Sequence, residues 1–256
     1  MKDLTLIIPF YNDSDIRLKN LIELSDTLSD YKINHTIIES IDQSFKKEDE
    51  IIRNSMAEKS EYCHVILFLN GFTQYIKKSE LINSGIDSVE TKYAGWHDCD
   101  ARFKKDAYIK AYDLLESGSL FVRPYNGSFL NVRGYRYNGK LFDNIGLQKQ
   151  TLHCDSCGGA LLFNTEKFIE IGGMNEKFKG WGYEDNELKS RIYKYGYKVD
   201  HIDNFECYHL DHPRANGISS ERHPHYTENM DIYNMSKNMS LGELKKWEFS
   251  IFNQKK

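Results

Sequence analysis

Leu4-Thr5-Leu6-Ile7-Ile8-Pro9 decides how the rest of this 256-residue chain is read. Apart from Thr5 the run is continuously apolar, it is rich in β-branched residues, and Pro9 ends it. A strand with one wet face alternates apolar and polar side chains, and this one does not. It reads as an inner strand of a parallel sheet, covered by helices on both faces.

The flanking sequence repeats that logic. From Asp15 onward, apolar residues at Ile16, Leu18, Leu21, Ile22, Leu24 and Leu28 keep helical spacing. His35-Thr36-Ile37-Ile38-Glu39 predicts a second strand, Glu48 to Lys59 a second helix, and Cys63 to Leu69 a third strand. Glu80 to Ile86 is helical with Gly85 near its end, and Tyr93 to His97 is a fourth strand stopping at Asp98. Strands and helices alternating in this way build βαβ units on a mainly parallel α/β sheet. Ligands of such sheets bind beyond the carboxyl ends of the strands. Pro9, Glu39 and Asp98 to Asp100 all stand at such ends.

After Asp100 a helix is expected from about Lys104 to Glu116, followed by twisted strands and loops in the Gly-, Tyr- and Asn-rich stretch from Arg123 to Gly146. Gly158-Gly159 leads the apolar strand Ala160-Leu161-Leu162-Phe163. Thr165 is read as the N-cap of a helix ending at Gly172-Gly173. Glu184 to Tyr195 predicts another helix, closed by Gly196, and the Asn-rich tail after Glu228 is expected to be peripheral.

Composition narrows the function classes. With 34 basic and 38 acidic residues the net charge is -4, which argues against a general nucleic-acid binder. The N-terminus lacks an apolar h-region and no apolar run is long enough to span a bilayer. The five cysteines are too scattered for a disulfide framework. A cytoplasmic protein with reduced thiols is expected. Work on a lipid-linked acceptor at the inner face of a membrane, through peripheral association, is compatible with this.

Four constellations could carry chemistry. Asp98-Cys99-Asp100 on an extended chain would turn both carboxylates to one side, towards a divalent cation or a diphosphate; the same residues could equally be a solvated turn. In His209-Leu210-Asp211-His212-Pro213-Arg214 two imidazoles three apart could share a metal and Arg214 could grip a phosphate, or the histidines could simply be a surface pair. A mixed carboxylate and imidazole site suits manganese better than calcium. Gly180-Trp181-Gly182-Tyr183-Glu184-Asp185 offers an aromatic face for a sugar ring beside a carboxylate able to take a hydroxyl proton. Its competing reading is a helix start with Trp181 in the core and the acids offsetting the helix dipole. Cys154-Asp155-Ser156-Cys157 lacks the second pair a zinc ribbon needs and the helix a redox motif opens. No P-loop or G-x-G-x-x-G is present.

In this order, the motifs resemble the GT-A fold, a Rossmann-like sheet with a smaller mixed acceptor-side region. The resemblance is strongest to the β-1,4-galactosyltransferases and the bacterial chondroitin-polymerase transferase domains, with a likeness to polypeptide N-acetylgalactosaminyltransferases. It runs from about Leu4 to Arg214 and is most specific from Gly158-Gly159 through Gly172-Gly173-Met174 to the Gly180–Asp185 motif. The resemblance implies one domain, with a nucleotide-binding half to about residue 100, an acceptor and metal half to about residue 226, and the tail from 227 to 256. It implies that Pro9, Tyr11 and Glu39 border the uridine and ribose, that Lys78 approaches the nucleotide, and that Asp98 lies against the ribose or metal shell. Asp100 with His209 or His212 would hold Mn2+ (or Mg2+). Gly159, Trp181 and Arg214 would line the substrate, Glu184 would orient the acceptor, and Asp185 would act as general base. Pro213 to Tyr226 matches a loop that closes over bound donor.

Tyr11 and Asp13 stand where galactosyltransferases carry basic residues, and Tyr183 replaces a glycine. The implied reaction is an inverting transfer of Gal or GalNAc from a UDP-sugar to a glycan hydroxyl, in bacterial surface polysaccharide synthesis; the Lys-, Asn- and Ile-rich usage suits an AT-rich bacterial genome. A nucleotidyltransferase acting on sugar phosphates and a non-catalytic glycan-binding protein of the same fold are the rival readings.

Overall fold

The apolar run at the N-terminus forms β1 (Leu4–Tyr11), and its side chains divide between two cores as strand geometry requires. In the computed structural model, which describes residues 1–41, 47–69, 76–132, 150–153, 157–210 and 224–254, Leu4, Leu6, Ile8 and Phe10 face one layer while Ile7 faces the other. The first layer holds α1 (Asp15–Asp30) and α4 (Lys105–Glu116), the second α3 (Lys78–Asp87), α5 (Thr165–Glu170) and α6 (Glu184–Lys194). This two-sided cover explains why the strand reads as an unbroken apolar stretch. The chain continues through Pro9 rather than ending there. Pairing with β4 (Tyr93–His97) stops at Ile7, so Pro9 sits opposite Ile38 alone and its missing N–H leaves no gap towards β4.

β2 (Asn34–Ile41) and β3 (Cys63–Leu69), joined by α2 (Lys47–Lys59), extend the sheet in parallel on the other side of β1. β9 (Ala160–Asn164) runs antiparallel between β4 and β6 (Phe121–Arg123), and the short β10 (Asp200–His201) closes the edge. The seven-stranded order is β10-β6-β9-β4-β1-β2-β3. A smaller sheet of order β5-β11-β7-β8 is made by β5 (Ala101–Arg102), β11 (Cys207–Leu210), β7 (Ser128–Val132) and β8 (Gln150–His153). The mainly parallel α/β sheet and the smaller mixed one are thus both present.

Two local expectations change. The helix expected behind a Thr165 cap is capped one residue earlier, because the Asn164 side chain accepts the Lys167 N–H at 3.0 Å. The C-terminal tail is not peripheral. It forms α7 (Tyr226–Asn238), α8 (Leu241–Lys246) and α9 (Ile251–Gln254), and buries Asn229, Ser236, Leu244, Ser250 and Phe252. Ser250 donates to the carbonyl of Gly172 at 2.5 Å and Phe252 joins the core that holds α3 and α6. Several of the residues this tail buries are polar, Asn229, Ser236 and Ser250 among them, which hid its docking face. Among the described residues no helix is long and apolar enough to cross a membrane.

Candidate active site

Asp98-Cys99-Asp100 is the passage from one sheet to the other. β4 ends at His97, opposite Ala160 of β9, and β5 begins at Ala101, opposite His209 of β11. The chain must leave one ladder and enter another, so the motif is a turn, closed by Ala101 N–H on the Asp98 carbonyl at 3.1 Å. Of the two readings open in the sequence, the turn holds and the extended chain does not. The two carboxylates consequently meet different partners, while Cys99 between them is buried.

Asp98 is held by backbone and by one cation. Gly159 donates its N–H to Asp98 Oδ2 at 3.2 Å and accepts the Asp98 N–H at 2.8 Å. Gly159 has φ +82, a conformation costly for any side-chain-bearing residue. A Cβ there would also press on Cys207 and Phe129 at 3.3 Å. His97 anchors the turn from beneath: its Nδ1 donates to the Asp98 carbonyl at 2.9 Å and its Nε2 accepts the Tyr108 hydroxyl at 2.6 Å. Burial pushes His97 down to about 3, so it stays neutral.

Lys78, in the first turn of α3, joins the distant parts. Its Nζ lies 3.0 Å from Asp98 Oδ1, 3.8 Å from Glu184 Oε1 and 3.7 Å from Asp185 Oδ1. Burial opposes the charge of this ammonium, yet Asp185, Asp98 and Glu184 together raise its pKa and keep it protonated. Burial pushes Asp185 up to about 7, against the pull of Lys78 and with the help of the Glu184 and Asp98 charges. Its Oδ1 is buried on the Lys78 side, with no hydrogen bond among the described residues.

Glu184 and Asp185 open α6, where their charges also complement the helix N-terminus. Glu184 Oε2 folds back on the N–H of Gly182 at 3.0 Å. Trp181 is 54% exposed, which removes the core-tryptophan reading and leaves its ring as a surface beside the acids. Tyr183, the helix cap, has φ +69. That conformation strains a tyrosine by about 1 kcal/mol or more.

Asp100 turns the other way, towards the smaller sheet. Its Oδ1 is 3.8 Å from His209 Nε2, brought there by the β5–β11 register. A carboxylate and an imidazole this close form a donor pair that fits Mn2+ or Mg2+. No third His, Cys, Asp or Glu completes a cluster among the described residues. His212, Arg214, the rest of the Pro213-to-Tyr226 loop up to residue 223, and Cys154 lie outside the described residues.

The uridine-side candidates sit along the carboxyl ends of β1 and β2. Pro9 is buried, Tyr11 half-buried, and Glu39 fully buried in a two-pronged ion pair with Arg53, whose guanidinium also lies over Phe10 at 5.5 Å. Glu39 therefore has its carboxylate engaged. Arg53 and Arg17 carry no signal in the sequence because neither lies in a recognisable motif. Arg17 on α1 pairs with Asp13 at 3.2 Å; burial opposes its charge, but Asp100, Cys99, Asp13 and Asp98 raise its pKa. Its proximity to the acidic turn was legible only in three dimensions.

Residues 145–213 match the family described as the N-terminal domain of galactosyltransferase. β-1,4-Galactosyltransferase 7 of Drosophila melanogaster is 26% identical over 149 residues, 56% of this chain and 39% of that protein. The structure of a Drosophila β-1,4-galactosyltransferase 7 mutant with manganese, UDP-Gal and xylobiose matches with a TM-score of 0.54 at 18% identity, over 93% of this chain and 80% of that one. The chain is galactosyltransferase-like, on a GT-A fold.

GalNAc-T7 with UDP, GalNAc and Mn2+ aligns with a TM-score of 0.63 at 13% identity, over 91% of this chain and 47% of that one. The mannosyltransferase PcManGT of Pyrobaculum calidifontis, in complex with GDP-Man and Mn2+, gives 0.52 at 14% identity, over 84% and 58%. In this galactosyltransferase-like chain the matched segment contributes Gly159, Trp181, Glu184, Asp185 and His209. Lys78, Asp98 and Asp100 precede it and α7 follows it, so the site is assembled from well beyond the matched residues.

Proposed function

We propose that this protein is an inverting, metal-dependent glycosyltransferase that moves Gal or GalNAc from a UDP-sugar to a hydroxyl of a glycan or lipid-linked saccharide. The observation that carries the reading is the convergence of Asp98, Glu184 and Asp185 on the one ammonium of Lys78, beside the Asp100–His209 pair. Glu184 and Asp185 come from one helix N-terminus and Asp98 and Asp100 from a strand-end turn, which is what a donor and an acceptor meeting between them require.

In this reading Trp181 presents its ring to the sugar, Glu184 orients the acceptor hydroxyl, and the Asp185 carboxylate takes its proton as the hydroxyl attacks the anomeric carbon. Lys78 keeps the acid cluster charged and compact, and Arg17, whose charge is supported by Asp100, Asp13 and Asp98, is the further cation offered to a phosphate. Pro9, Tyr11 and Arg53-bound Glu39 form the floor for the nucleoside. Asp100 and His209, with His212 as a further candidate, would hold Mn2+ (or Mg2+), which when bound stabilises the charge of the departing diphosphate. A place in bacterial surface polysaccharide synthesis, with the enzyme in the cytoplasm or at the inner membrane face, completes the proposal.

Thermal unfolding with UDP and Mn2+ together tests the donor site; a rise in Tm that needs both is expected. UDP release over a panel of UDP-sugars with glycoside acceptors then tests transfer. Absence of metal-dependent stabilisation by UDP, or release of pyrophosphate in place of UDP, overturns the proposal.

A further inference from the structure

Tyr183 precedes the two acids directly and occupies a region of backbone space that glycine enters freely and tyrosine does not, with φ +69 and ψ -10. Its carbonyl accepts the Glu187 N–H at 2.9 Å, so the orientation of this one residue sets how α6 starts and where Glu184 and Asp185 point. The strain is matched by a set of contacts from α7. The Tyr183 and Tyr226 hydroxyls are 2.9 Å apart, and the Tyr183 ring stacks on Tyr233 with centroids 5.4 Å apart and planes 17° apart. Trp181 and Tyr226 are near parallel at 13°, with centroids 6.5 Å apart.

Between the two tyrosines, Asn229 is fully buried. Its Oδ1 accepts the Lys179 N–H at 3.1 Å, and its Nδ2 donates to the carbonyls of Lys179 and Trp181 at 2.9 and 3.2 Å. Tyr226, Asn229 and Tyr233 recur at helical spacing, so one face of α7 grips the whole loop. A glycine at 183 would need no such grip, but it would also leave the loop free to wander. A clamped tyrosine gives it one conformation.

We propose that Tyr183 is a positioning residue for the Glu184–Asp185 pair, locked in its left-handed conformation by Tyr226 and Tyr233. The inference rests on the glycosyl-transfer reading of the same site. It predicts that the Tyr226 hydroxyl acts on turnover through residue 183, so that its loss is read in kcat rather than donor KM, and only while residue 183 needs to be held.

The test is a double-mutant cycle of Tyr226→Phe and Tyr183→Gly, assayed with UDP-galactose or UDP-N-acetylgalactosamine, whichever turns over, and p-nitrophenyl β-glycosides as acceptors. Tyr226→Phe should lower kcat about tenfold and change the donor KM by less than about twofold. In the Tyr183→Gly background the same substitution should cost less than about twofold. Equal losses in both backgrounds, or a loss confined to donor KM, overturn the proposal. If wild type releases no UDP with any donor, the function reading fails, and the clamp is judged by hydrogen exchange at the amides of Glu184 to Glu187. There Tyr226→Phe should accelerate exchange with tyrosine at 183 and not with glycine; equal acceleration in both sinks the clamp.

Discussion

The two acidic groups of the site are held in place by different means. Asp98 and Asp100 sit in a turn whose ends are fixed by two β-ladders, with Gly159 backbone and buried His97 completing the frame. Glu184 and Asp185 follow a loop with three residues of positive φ, Gly180, Gly182 and Tyr183, and that loop is steadied by side chains of a helix far along the chain. Backbone pairing fixes the first group. Long-range side-chain contacts fix the second, and Lys78 is the strut between them.

Chemistry should separate the two groups most sharply. Asp185→Asn keeps the size and burial of the side chain but removes the base, so turnover should fall by about 100- to 10,000-fold with Tm little changed. Near-normal turnover in this variant would remove the acid pair from the mechanism. Lys78→Met strikes the strut: three carboxylates lose their shared cation in a site where both Lys78 and Asp185 are largely covered. A loss of about 3 kcal/mol in urea unfolding is expected, partly recovered in acid as the carboxylates protonate.

pH itself distinguishes the sheet from the loop. His35, on β2, is buried, donates from Nδ1 to the Ile33 carbonyl and bonds Ser25 through Nε2, and burial pushes it down to about 4. The unfolded state binds the proton first, so the stability this histidine lends is full above about pH 6.5 and drains away as pH falls towards 4, by on the order of 3 kcal/mol. Urea unfolding of His35→Gln, compared with wild type across that window, should show a flatter slope. The smallest effect is expected for Asn229→Ala, about 2 kcal/mol, because it strands partly buried backbone groups of Lys179 and Trp181 without removing a charge. Faster hydrogen exchange confined to the loop, with the β-sheet amides unchanged, would confirm that the two regions are supported independently.

The same contrast explains what could be read from sequence. β2, β3 and β4 were legible because a buried strand is a local pattern of apolar, β-branched residues, and β4 runs from Tyr93 to His97 as the pattern implies. Asp100 and His209 were legible as candidate ligands, though their approach to 3.8 Å depends on the β5–β11 register. Sequence left Asp98-Cys99-Asp100 open between an extended chain and a turn, because it does not announce that the next two residues join a different sheet. Nor could the tail be weighed, since Asn229 finds its partners 48 to 50 residues back and carries no signal of its own. Arg17 shows the same limit for a cation outside any motif.

The seating of α7 has a consequence for recombination and for protein engineering. A crossover or truncation placed just after residue 213, where the family match ends, would look harmless on sequence grounds because both candidate carboxylates lie upstream. It would separate Glu184 and Asp185 from the helix that aims them. Chimeras between relatives should therefore inherit residues 179 to 238 as one unit, and a library that varies Tyr183 should vary Tyr226 and Tyr233 with it.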